Sequence, residues 1–357
     1  MNKNLISFAV AAVLAGGVSV AQAGNVTVFG NVNVSIDSID QDSGRGDAID
    51  DINMENNTSA IGVKGSEDLG NGLQAIFLVD FGFNADEGSG TTARDQWVGL
   101  AGNFGKVRFG TISTSYKSHG AMVDPIYRTA LQGRNNGLQS DGLHNGRGES
   151  RGRMNNHVRY DSPSFYGVGV TVDYSFDSDD TVDGNDTYGI GAHYRNKDLG
   201  LLAFIDYISS DSGDSVNAVG EDIGDDAWKI GGSFAINDMF GLYAQYEVGS
   251  LLNQNNGLFN STIVSTRNDG AVATDDASQW FIGASAGMGN TLLFLAYGEA
   301  EELDGTNGFE QDSITLALNH KLSNRTDVTF GWAQTDVTGT THTGEEDRIS
   351  VGLRHKF

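Results

Sequence analysis

Lys64, Lys106, Arg108 and Arg159 are set among apolar neighbours: Val63 precedes Lys64, Val107 and Phe109 flank Arg108, and Val158 and Tyr160 flank Arg159. In an extended chain successive side chains point to opposite faces, so these four cations fall on one face and their neighbours on the other. If the apolar face meets lipid, turning a Lys or Arg that way at the membrane midplane costs about 2–4 kcal/mol, and the cations belong on the inner face. Arg195, Lys229, Lys321, Arg348, Arg354 and Lys356 follow the same rule. Fixed cations on the wall of an aqueous cavity make no bonds; they sort solutes by charge.

Bond-making chemistry has little support. The chain has no Cys, which removes thiolate ligands and a cysteine nucleophile, and its seven His are scattered with no Gly-x-Ser-x-Gly motif near them. His157 and His193 fall on the inner face and His355 on the outer one. The acid-rich stretch beginning at Asp37 lacks the Gly and distal Glu of a calcium loop. A formal charge of −25 argues against binding a phosphate backbone. The expectation is therefore no enzyme, no cofactor, no metal site and no nucleic-acid partner.

The elements that must hold these residues are strands. Asp347 to Phe357 alternates throughout, with Ile349, Val351, Leu353, His355 and Phe357 on one face and Arg348, Ser350, Gly352, Arg354 and Lys356 on the other. Similar alternation recurs about sixteen times from Val26 onward, separated by alternately short turns and longer polar loops that carry most of the acid, as in Asp37 to Glu55 and Glu299 to Asp304. Gly is abundant, at 49 residues, and Pro scarce, at 2, which suits turns and uninterrupted ladders. Ahead of this, Lys3, an apolar run from Leu5 to Val20 and Ala21-Gln22-Ala23 have the layout of a signal peptide over residues 1–23, leaving 24–357 as the folded domain. The pattern predicts an all-β, transmembrane antiparallel β-barrel of about 16 strands, its short turns toward the periplasm. Trp97, Trp228, Trp280 and Trp332 are expected in outward aromatic girdles. One connection, Ser113 to Met154, is too long for a turn.

Ile61-Gly-Val-Lys-Gly-Ser-Glu-Asp-Leu-Gly-Asn-Gly-Leu73, Trp97-Val-Gly-Leu100, Gly105-Lys-Val-Arg-Phe-Gly110, Val158-Arg-Tyr-Asp-Ser-Pro-Ser-Phe165 and the terminal Phe357 resemble, in order and spacing, segments of the Gram-negative general porins. The resemblance implies a homotrimer of 16-stranded barrels in outer-membrane lipid and lipopolysaccharide, passing ions and small hydrophilic solutes by passive diffusion. It also implies a third loop, residues 113–154, folded into the lumen, with its carboxylates facing wall cations. Asp124, Asp141 and Glu149 are the acids of that loop; Lys64, Lys106, Arg108 and Arg159 are the wall candidates. Wall arginines that the resemblance would place near Ala60, Thr111 and Asp161 are missing, and the loop carries Arg128, Arg134, Arg147, Arg151 and Arg153 of its own. With the acidic outer loops, this leads to an expectation of mild cation selectivity. A saccharide-specific channel and a calcium-binding or adhesive outer-membrane protein are the alternatives.

Overall fold

A computed structural model describes residues 25–42, 48–145, 152–176, 186–210, 226–252, 276–303, 310–339 and 343–357. The signal-peptide segment and Glu149 lie outside them. Seventeen strands form one antiparallel sheet. They are β1 (Val26–Asp42), β2 (Ala48–Asn56), β3 (Ala60–Gly70), β4 (Leu73–Asn84), β5 (Ser89–Gly102), β6 (Gly105–Ser113), β7 (Arg153–Asp161), β8 (Val168–Ser175) and β9 (Thr187–Asn196). After them come β10 (Leu201–Ser210), β11 (Asp226–Ala235), β12 (Phe240–Gly249), β13 (Ala277–Met288), β14 (Thr291–Glu302), β15 (Glu310–Lys321), β16 (Thr326–Thr338) and β17 (Thr343–Lys356). Each pairs with its neighbour in sequence, except that β1 takes both β2 and β3, and β1 also pairs with β17, closing the ring.

β2 and β3 are two halves of one stave. Val34 pairs with Asn56 and Asn31 with Ala60, so three residues, Asn57, Thr58 and Ser59, face only Val32 and Asn33. Thr58 takes up the extra length at φ 68°. Side chains replace the interrupted ladder: Asn33 Nδ2 donates to Asn57 O at 2.7 Å, the Asn33 amide to Ser59 Oγ at 2.9 Å, and Asn57 Nδ2 to Ser35 Oγ at 2.7 Å. Seventeen strands thus make sixteen staves among the described residues.

The barrel is inside-out relative to a water-soluble protein. Ile36, Val98, Ile230, Ile282, Phe330 and Ile349 are exposed on its outside, while Asn33, Asp37, Asp206, Lys229, Glu247 and Gln279 are buried within. An outer face of this kind is stable in hydrocarbon, and a closed ring leaves no ladder group unpaired there. No described helix is long and apolar enough to cross a membrane; the crossing is made by strands. Acids expected in loops, Asp42 and Glu299 among them, are within strands instead. Glu299 pairs with Asp312, Asp312 with Asp336, Asp336 with Glu345, and Glu345 with Asp42 across five neighbouring strands. The staves continue past their apolar band, and polar residues occupy the outer face there without ending the ladder.

Candidate functional site: the loop-lined constriction

The connection from β6 to β7 enters the barrel. Thr114 caps the first helix, α1 (Ser115–Gly120), accepting from the Lys117 amide, and the Thr114 amide donates to Gly152 O at 3.2 Å to close the base of the loop. A short 3₁₀ turn at Gly133–Asn135 and a second helix, α2 (Asp141–Asn145), follow. The walls it covers are not wholly polar. Val123, Ile126, Leu131 and Leu138 of the loop pack with inward Leu202, Phe204, Phe281, Phe294, Ala296, Ala317 and Ala333, removing that apolar surface from lumenal water. Gly331 and Gly298 let the loop come close: a Cβ there would lie 2.6 Å from Leu131 Cδ1 and 3.1 Å from Leu138 Cδ2.

Polar contacts fix the loop's path. Gln279 and Gln311 donate to Gly137 O at 2.6 and 3.1 Å, Gln139 donates to Gln245 at 3.1 Å, and Ser140 Oγ to Glu247 at 2.6 Å. His119 Nδ1 lies 2.8 Å from Asp206, and Arg354 donates to Tyr127 O at 3.2 Å. At the bulge between β2 and β3, Asn33 also donates to Arg128 O. These contacts run along β10 to β17 and on to β1, and none of them is to β4, β5 or β6.

Of the wall candidates, Lys64 and Lys106 are exposed near the short-turn ends of β3 and β6, with Lys64 Nζ 5.2 Å from the Phe29 ring centre. Arg108 and Arg159 stand opposite each other on β6 and β7 and converge on Asp161. Arg159 also donates to Ser113 O at 2.7 Å and Ser118 Oγ at 3.2 Å, so it ties the loop's base to the wall. Arg108 lies over Trp97 at 5.1 Å, which puts Trp97 on the lumenal face and outside the expected girdle. Trp228 is exposed on the outer face, as expected.

Asp124 turns into the loop's own fold, where it accepts from the Ile126 and Gly133 amides at 3.1 and 2.9 Å. Burial raises its pKa to about 6 against the pull of those amides. Asp141 opens α2 and is half-buried. Among the described residues, the loop acids and wall cations therefore do not form two opposed rows. Instead Arg128 and Arg134 of the loop flank the Tyr127 ring at 5.9 and 4.9 Å, and Arg134 donates to the phenol at 3.4 Å. Burial would push the Tyr127 phenol up, but Arg134, Arg128 and Arg94 overcome it and hold the phenol below its ordinary value. Arg94 is paired with Asp80 at 2.8 Å, and Arg153 with Asp95 at 2.6 Å. Burial and nearby Arg153, Arg134 and Arg94 push Lys117 well below the usual lysine value.

The sequence contained the signal for this cation cluster in the loop's surplus of arginines over acids. What alternation could not provide was Arg94 of β5, or the wall acids Asp206 and Glu247. Their role appears only once the loop is laid against them.

A family model described as Gram-negative porin matches residues 8–340. Outer membrane porin protein 32 of Delftia acidovorans is 29% identical over 100% of both chains, and the major outer membrane protein P.IB of Neisseria gonorrhoeae 27% identical over 100% of both. Among solved structures, an anion-selective porin from Comamonas acidovorans superposes with a TM-score of 0.72 at 22% identity, over 94% of this chain and 100% of its own. The trimer form of Vibrio cholerae OmpT gives a TM-score of 0.63 at 15% identity, over 94% and 100%.

Proposed function

From the premise that this chain belongs to the Gram-negative porin family and resides in the outer membrane, we propose that it forms a passive, water-filled diffusion channel whose narrowest section is bounded by the 113–154 loop. The carrying observation is the loop pinned inside a closed barrel with Arg128 and Arg134 beside Tyr127 and Arg94 nearby. In this reading Arg108 and Arg159 line the wall at the loop's base, Lys64 and Lys106 line the approach from the short-turn end, and solutes cross without chemistry. The trimer form of a structural neighbour and the family's outer-membrane setting support a homotrimer in contact with lipid and lipopolysaccharide.

Two charge distributions compete over ion preference. The chain's −25 charge favours cations at the mouths, as the sequence expectation of mild cation selectivity supposes. However, charges farther from the ion path than about 8 Å are largely screened at physiological salt, whereas half-buried Arg128 beside Tyr127 borders the constriction itself. The channel therefore prefers anions at physiological salt, with the outer acids eroding that preference on dilution; the anion-selective structural neighbour points the same way. Reversal potentials in a KCl gradient at two ionic strengths test this. Cation preference at both would show that the mouth acids prevail, and no conductance would refute the channel.

A further inference from the structure

Lys229 of β11 points into the barrel, yet with 1% relative exposure it meets no solute. It lies where two loop helices meet the wall. Its Nζ donates to Tyr116 O of α1 and lies 3.9 Å from the Tyr116 ring centre; it is 3.5 Å from Asp206 Oδ2 and 3.5 Å from His144 Nε2 of α2. His144 is held on its other side as well. Nδ1 donates to Ser140 O at 2.8 Å, and Ser140 Oγ, 3.1 Å from that nitrogen, donates to Glu247. This network fixes the neutral tautomer, with hydrogen on Nδ1 and a lone pair on Nε2 accepting from Lys229.

We propose that Lys229 and His144 form a proton-sensitive clamp holding the constriction loop against the wall, with Lys229 a positioning residue for an aperture it does not touch. The inference rests on the reading of the loop as the channel's narrowest section. A second proton on His144 would occupy Nε2 and set two cationic donors face to face at 3.5 Å. The other charged groups facing His144 are Arg134, which donates to its carbonyl at 2.9 Å, and Glu247, 3.7 Å from Nδ1. Glu247 opposes the rupture, while Lys229 and Arg134 promote it. Tyr116, packed against the ring at 5.5 Å, donates to Glu247 at 2.8 Å; Asp206 is shared between Lys229 and His119, and His193 lies against His119 at 5.2 Å. Burial, with Lys229 and Arg134, lowers the pKa of His144 to about 4 despite Glu247. The clamp therefore stays shut at neutral pH and opens in acid.

The direction of the effect follows from the docking. The wall lies behind the loop, so a released loop can move only into the lumen and obstruct it. Single-channel recording of the full-length protein should show steady conductance at neutral pH and closures as pH falls through about 4. His144→Gln keeps a neutral acceptor and should abolish the acid closures while leaving neutral conductance unchanged. Lys229→Met should bring closures to neutral pH with an unaltered reversal potential, because Lys229 lies off the ion path. Acid closures that survive in His144→Gln, or a quiet Lys229→Met channel, overturn the clamp. A wild-type channel that never conducts refutes the channel reading itself, and one that stays open in acid overturns the clamp alone. Should Lys229→Met fail to form a heat-modifiable barrel, His144→Gln alone decides the matter, and acid closures that persist in it overturn the clamp.

Discussion

At the scale of single residues, charge near the constriction and geometry behind it separate cleanly. Arg128, half-buried beside Tyr127, has no carboxylate partner among its described hydrogen bonds, so Arg128→Ala should shift the reversal potential toward cations. An unchanged potential would place the ion path elsewhere. Gly137 tests geometry alone. It sits at φ +70°, and a Cβ there would come within 2.2 Å of Gln311 Nε2 and 2.3 Å of Ser313 Oγ. Gly137→Ala combines a left-handed backbone cost of roughly 1–2 kcal/mol with that clash, and should displace the loop and change conductance while leaving total charge untouched. Asp124 tests burial. Its pKa, raised from 3.8 to about 6, means that the folded loop penalises the ionised form. Its packing accordingly gains stability as pH falls from about 6 toward 3.8, the opposite sign to His144, whose lowered value makes the loop lose stability as pH falls from 6.5 toward 4. A carboxyl carbon shift for Asp124 titrating near 4 instead of 6 would show that water reaches it.

At the scale of elements, period-two alternation made the strands readable because a two-faced wall demands it, and Ile349, Val351 and Leu353 follow it without exception. Two things were not readable. The acids at Asp40, Asp42, Glu299 and Glu301 looked like loop composition, since alternation reports a strand only where its faces differ; once the outer face leaves hydrocarbon, both faces are polar and the ladder has no sequence signature. The loop's docking was hidden for a related reason. Phe204, Phe281 and Phe294 break the polar inner face, but a short apolar intrusion in a strand does not say what will cover it. That docking surface also qualifies the simplest expectation for the loop. Removing residues 121–138 should raise conductance by emptying the lumen, yet it exposes those phenylalanines to water at about 25 cal/mol per Å². The shortened barrel should therefore conduct more and lose its heat resistance sooner, as read by conductance and gel mobility. Greater conductance with undiminished heat resistance would show that the loop adds nothing to the barrel's stability.

At the scale of the whole molecule, the channel is a single closed sheet, and its seam joins the first and last strands. β1 meets β17 through twelve residue pairs from Asn31 with Lys356 to Asp42 with Glu345, and the Gly30 and Phe357 backbones exchange hydrogen bonds at 3.1 and 3.0 Å. Every partial chain shorter than this has two bare strand edges, so a chain cut before Thr343 should associate edge to edge instead of refolding as a heat-modifiable monomer. Recovery of a compact, unaggregated barrel from that truncation would contradict the argument. The same seam governs lifetime. An open sheet can fray from its outermost strand, one ladder at a time, but a ring has no outermost strand, and its first opening must break a complete interstrand ladder before any chain entropy is released. The barrel's persistence is in that sense a matter of rate, set by the height of one initial rupture, and its first and last strands act as the latch that determines how long it survives.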